Sequence, residues 1–215
     1  TREVKTVQHA MSVLGRERLR GLVLTAALKS FKSSAGWPPS CHNWWRHSVA
    51  AALLTEGLAS ATRTYWPAAY SAGLLHDIGR LALLLGLSPE ELITYEAEAV
   101  SGDLPVEEAE RLMFGESHCE IGASLLRQWQ FPDDRVDAAA CHHDGDRGMR
   151  LAGAGCELAT AMGFATFPGR PVRPLAEVLA GFPAASEAGL SEVPLRVIEA
   201  LRERIDSFEK LSEAS

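Results

Sequence analysis

The 215 residues are 47% hydrophobic and 23% charged, a composition that excludes a disordered chain and leaves room for a sizeable buried core. A formal charge of -7 and a pI near 5.5 exclude the Lys/Arg excess that non-specific binding to nucleic acid or anionic membrane requires, so neither is expected as a partner. No apolar run approaches the ~20 residues of a membrane span and the N-terminus has no secretory pattern, so a cytoplasmic location is expected.

In chain order, Val4, Val7, Ala10, Met11 and Leu14 recur at helical spacing and stop at Gly15. The chain opens at Thr1 inside this running pattern, which suggests a fragment whose domain begins upstream. A second helix is predicted over 17–31, a Ser/Gly/Pro loop over 33–40, and an Ala-rich helix over 41–62. Pro67 then opens a helix expected to run unbroken to about Leu85. Ser88-Pro89-Glu90-Glu91 reads as a capping box with proline at the first helical position. Pro105 and Phe131-Pro132-Asp133 mark further starts, 144–148 reads as a turn, another helix covers 148–163, and 164–174 is an irregular connection. The terminal helix, 192–212, spaces Leu195, Ile198, Leu201, Ile205, Phe208 and Leu211 three or four apart. Docking of that stripe onto the same chain is the commoner outcome, and a homodimer is the alternative. No segment alternates convincingly as a strand, so the expected fold is all-α, a single helical bundle over 1–215.

The four cysteines, Cys41, Cys119, Cys141 and Cys156, have no CxxC spacing and read as reduced, buried small hydrophobes. Cys119 and Cys141 adjoin histidines, but helical neighbours diverge by about 100°, which argues against shared ligation.

Chemistry concentrates in His47, His76, His118, His142 and His143, with Asp77 as the accompanying carboxylate. Helices of a bundle can bring such positions to one interior point, and imidazole with carboxylate holds Fe, Mn or Zn. His76-Asp77 interrupts a strongly apolar stretch, where two polar groups are costly without partners or a metal. A lone histidine, such as His9 or His42, is better read as an ordinary hydrogen-bonded residue; the set carries the argument.

Gly73-Leu74-Leu75-His76-Asp77-Ile78-Gly79-Arg80 resembles the HD-motif helix of the HD-superfamily phosphohydrolases. Trp45-x-His47-Ser48, the run from Glu110 through Phe114-Gly115, His118, Gly122-Ala123 and Trp129 to Pro132, and His142-His143 are similar to the HDOD branch of that superfamily. The likeness covers about residues 3–165, and HDOD domains usually begin some tens of residues earlier. It implies a bacterial signal-transduction domain, metal-binding roles for His47, His76, Asp77, His118, His142 and His143, and a water activated between metals oriented by Asp77. Arg80 and His143 would address a phosphate.

The sequence departs from the related HD-GYP phosphodiesterases at both ends of the ligand pattern. Asn43 stands where they have a glutamate, the final aspartate falls at Thr160 with Glu157 as a nearby substitute, and no Gly-Tyr-Pro follows His143. The leading expectation is therefore a regulatory output domain, contacting a signalling protein or an upstream sensory or receiver domain, with a metal or nucleotide in the pocket. An active metal-dependent phosphohydrolase acting on a nucleotide or cyclic dinucleotide is the alternative. A merely hydrogen-bonded polar core is the third possibility.

Overall fold

The computed structural model describes residues 5–34, 37–143, 150–175, 177–178 and 195–213. Among them every regular element is a helix: α1 Val7–Leu14, α2 Arg16–Ser34, α3 Pro39–Ala61, α4 Ala69–Leu75, α5 Ile78–Gly86, α6 Pro89–Ser101, α7 Val106–Phe114, α8 His118–Gln128, α9 Asp133–Cys141, α10 Arg150–Ala161 and α11 Leu195–Glu213. The all-α expectation is met. The predicted turn over 144–148 lies outside the described residues.

α3 is the central strut. It packs against α4, α5, α10 and α11, and it carries Leu54 and Leu58 fully buried along its length. Burial of a leucine of this kind is worth about 1.5–3 kcal/mol. Pro38 and Pro39 open α3 two residues earlier than the sequence pattern suggests, because a proline at the first helical position lacks an N–H that would have no partner there. Small residues let the neighbours of α3 come close. A Cβ on Gly73 of α4 would fall 2.8 Å from the Ala51 carbonyl oxygen, and one on Gly155 of α10 would fall 2.9 Å from the same oxygen. Two helices thus converge on a single turn of α3, one turn beyond His47.

The capping box at Ser88 and Glu91 forms as read, and a second one, Ser117 with Glu120, starts α8. α11 lays Ile198, Leu201 and Ile205 against the core, in contact with α3. The stripe therefore docks in cis; the side chains of Leu195 and Leu211 lie outside the described residues.

The helix expected to run through Leu85 is broken at His76-Asp77. α4 stops at Leu75, α5 restarts at Ile78, and Asp77 leaves the helical region with φ -110 and ψ 23. The cause is a tertiary contact: the Asp77 carbonyl accepts a hydrogen bond from Trp44 Nε1 of α3 at 2.7 Å. The break swings Asp77 into the centre of the bundle.

Candidate metal centre

Each pocket residue comes from the end of a helix or from the strut. His47 lies on α3, His76 caps α4, Asp77 precedes α5, and Arg80 sits in the first turn of α5. His118 opens α8, and His142 with His143 follows α9. Helix ends place these polar groups where the chain turns inward without interrupting a ladder of backbone bonds. His47, His76, Asp77, Arg80, His118 and His142 are all buried, while His143 stands at the rim with its side chain 33% exposed.

The tautomers follow from the hydrogen bonds. His47 Nδ1 lies 2.9 Å from the Phe164 carbonyl oxygen, His76 Nδ1 2.7 Å from that of Gly73, and His142 Nδ1 3.1 Å from that of Ala139. A carbonyl only accepts, so each Nδ1 must donate, which leaves Nε2 of a neutral ring with a bare lone pair. His47 Nε2 and His76 Nε2 nevertheless face each other at 3.3 Å. His142 Nε2 and Asp77 Oδ1 are buried with no hydrogen-bond partner. Acceptors brought together without a donor repel, and buried polar atoms without partners are costly. A divalent cation resolves both problems, and backbone carbonyls on the far ring nitrogens are the usual way of orienting histidine ligands. The donor set fits the metal that the sequence pattern implies.

A second arrangement surrounds His118. Glu110 of α7, fully buried, accepts from the His118 backbone N–H at 2.8 Å and its ring Nδ1 at 2.5 Å, and also from the Tyr95 hydroxyl at 2.5 Å. His118 Nε2 then points at Asp77 Oδ1, 3.4 Å away, and at His143 Nε2, 3.2 Å away. Arg80 reaches into this half: Nη1 donates to Asp77 Oδ2 at 2.8 Å, Nη2 lies 3.0 Å from His118 Nε2, and the guanidinium packs over the Phe167 ring. Arg80 is thus bound to the site's own carboxylate.

Burial dominates the electrostatics. It pushes His47 down to about 4, and it drives His76, His118, His142 and His143 well below the ordinary imidazole range, aided by neighbouring positive groups. Burial also lifts Asp77 to about 7 against the pull of Arg80. Neutral imidazoles are the protonation state that a metal needs.

The sequence brought forward His47, His76, Asp77, His118, His142, His143 and Arg80, and the structure places them in one contiguous cluster. Its closing position is different. Thr160 is half-buried and bonds back to the Cys156 carbonyl, and Glu157 pairs with Arg173 at 3.2 Å. Cys156, one turn before Thr160, is the α10 residue that faces the histidines, with Sγ 3.5 Å from His47 Nε2. Cys119 Sγ likewise lies 3.4 Å from His118 Nε2. Ligand-capable atoms of His47, His76 and Cys156 form one close group, and those of His118, Cys119, His142 and His143 another. Periodicity could not choose between Cys156 and Thr160, which share a helix face. The role of Glu110 shows only when α7 is seen against α8. A cavity of about 280 Å³ opens beside the cluster, with His143, Cys156, Glu107, Glu157, Arg170 and Arg173 in its wall.

The sequence profile of the HDOD domain family matches residues 1–145. In structure the chain is similar to an HDOD domain protein of unknown function from Geobacter sulfurreducens, with a TM-score of 0.71, 22% identity, and coverage of 96% of this chain and 76% of that one. It is also similar to a protein from Marinobacter aquaeolei provisionally assigned to signal transduction, with a TM-score of 0.67, 22% identity, and coverage of 98% and 48%. In sequence it is 31% identical over 171 residues to ribonuclease Y of Thermus thermophilus, across 80% of this chain and 24% of that protein. The chain spans about a quarter or less of the length of the curated relatives it matches.

Proposed function

The chain belongs to the HDOD domain family, and from that premise we propose that it is a bacterial signal-transduction output domain whose pocket holds a divalent metal and acts by binding rather than turnover. The observation that carries the metal is the pair of Nε2 lone pairs of His47 and His76, 3.3 Å apart, with both Nδ1 atoms committed to backbone carbonyls. His47, His76, Asp77, His118, His142 and His143 are the ligand candidates, and Fe, Mn and Zn the candidate ions. Two features favour binding over catalysis. Arg80 occupies the space between Asp77 and His118 that a second catalytic ion would need, and among the described residues no carboxylate closes the site from α10. The adjoining cavity would take a small ligand, such as a nucleotide, whose binding is passed to a partner signalling protein or an upstream sensory or receiver domain.

The alternative, a metal-dependent phosphohydrolase acting on a nucleotide or cyclic dinucleotide, draws on the same cluster and on the cavity wall, where Arg170 and Arg173 could face a phosphate. The likeness to ribonuclease Y is consistent with it. In that reading Asp77 orients the nucleophile and His143 meets the substrate at the rim, while Arg80 steadies Asp77. The two readings separate on purified protein assayed for metal content and for hydrolysis of cyclic and linear phosphodiesters. Stoichiometric metal without turnover is expected; robust turnover lost in Asp77→Ala would overturn the binding reading.

A further inference from the structure

Of the two ligand groups, the one formed by His47, His76 and Cys156 has a shape that can be compared with a metal polyhedron. Bond lengths of about 2.05 Å to nitrogen and 2.3 Å to sulfur, at tetrahedral angles, require nitrogen–nitrogen edges near ~3.3 Å and nitrogen–sulfur edges near ~3.6 Å. Two of the three edges correspond, 3.3 Å between the two Nε2 atoms and 3.5 Å between His47 Nε2 and Cys156 Sγ, and the third, between His76 and Cys156, is within 4.8 Å. All three side chains are buried, and Gly155 beside Cys156 brings α10 onto the same turn of α3 that Gly73 approaches. The second group also contains a thiol, Cys119, but Arg80 Nη2 already lies 3.0 Å from its His118 Nε2. A fixed guanidinium there competes with an ion.

We propose that Cys156 is a thiolate ligand of the metal, completing with His47 and His76 a nitrogen–sulfur site that selects a thiophilic ion such as zinc over manganese or magnesium. The inference rests on the metal-binding reading above and deepens it. Binding exchanges the S–H bond of Cys156 for a metal–sulfur bond and releases one proton to solvent. A soft thiolate where a carboxylate would favour hard ions shifts the preference of the pocket. Cys156 also lines the cavity, so a metal held there borders the space in which a small ligand would sit.

The test is cobalt substitution. Metal-stripped full chain is loaded with Co(II), its cobalt content measured, and its absorption spectrum recorded for wild type, Cys156→Ser, Cys156→Asp and Cys119→Ser, with circular dichroism confirming the fold of each. A near-ultraviolet thiolate-to-cobalt charge-transfer band is expected in wild type and Cys119→Ser and absent from both Cys156 variants. Zinc-over-manganese selectivity should fall by at least about tenfold in Cys156→Asp. Cobalt bound without the band, or a band that survives in Cys156→Ser and disappears in Cys119→Ser, overturns the assignment of Cys156 while leaving the metal site intact. Failure of wild type to bind cobalt or zinc defeats the metal reading itself.

Discussion

Glu110 holds His118 by two bonds at once, accepting from its backbone N–H at 2.8 Å and from its ring Nδ1 at 2.5 Å through the same carboxylate oxygen. Its other oxygen accepts from Tyr95 at 2.5 Å and lies 3.9 Å from Arg80 Nε. One buried carboxylate therefore fixes the start of α8 and the orientation of an imidazole, with a buried cation close by.

Removing that carboxylate strands several donors. Glu110→Ala should destabilise the fold by about 3–5 kcal/mol, the scale on which breaking a buried charged network operates. Tyr95→Phe, which loses only one hydrogen bond to the same group, should cost about 1–2 kcal/mol. Urea denaturation of the single and double variants measures both. The double variant should cost much less than the sum, since without Glu110 the Tyr95 hydroxyl has already lost its partner. Additive losses would show that the two residues are not coupled through this contact.

His76 separates a metal site from a polar core. In His76→Leu the bound metal should fall to background, because His47 then faces an apolar side chain instead of a second lone pair. The metal-free protein should lose little stability, since a buried imidazole with an unsatisfied Nε2 is replaced by an apolar group of similar size. Elemental analysis and denaturation of stripped protein give the two readouts. Wild type that takes up no metal, together with a strongly destabilised His76→Leu, would favour a hydrogen-bonded core.

Acid should unfold the metal-free protein early. His47 has its folded pKa lowered to about 4 from an ordinary value of 6.5. As pH falls below 6.5 the unfolded chain takes up a proton that the folded one refuses, so stability drains away until about pH 4. The contribution of His47 alone is about 3 kcal/mol. The other four cluster histidines are lowered too and act in the same direction. Asp77 acts in the opposite direction: with its folded pKa raised to about 7 it holds a proton that the unfolded chain lacks, so its contribution improves as pH falls from 7 towards 3.8. Five histidines outweigh one aspartate. Urea midpoints of stripped protein should fall between pH 7 and pH 5, with a shallower slope in His47→Leu; equal slopes would remove His47 as a cause.

The all-helical bundle was legible because its apolar residues repeat at helical spacing and its starts carry punctuation, Ser88-Pro89 being the clearest case. The cluster was legible because histidines at 47, 76, 118, 142 and 143 have no common reason to be apolar-facing except one another. What escaped depends on partners distant in sequence. The break at Asp77 is caused by Trp44, 33 residues away, and nothing in the local apolar pattern reports it. The facing position on α10 is chosen by how deeply Gly155 lets that helix approach Ala51, which decides in favour of Cys156 over Thr160.

The closest helix approach gives the sharpest structural test. Gly79 of α5 lies so near α8 that a Cβ built on it would fall 2.0 Å from the His118 carbonyl oxygen and 2.5 Å from the Gly122 backbone nitrogen. Both obstacles are backbone, so no side-chain rotation relieves them. In Gly79→Ala the two helices must separate, and α5 follows directly on Asp77 while α8 begins at His118. The 3.4 Å spacing between Asp77 Oδ1 and His118 Nε2 should widen with them. We expect a stability loss of about 1–3 kcal/mol from overpacking, with a weaker hold on any metal that draws on both residues. Gly86→Ala, at the end of the same helix with open space around the added methyl, serves as the control and should leave metal binding unchanged. Denaturation midpoints and metal-binding titrations of the two variants decide the matter, and equal behaviour of Gly79→Ala and Gly86→Ala would refute the close packing of α5 on α8.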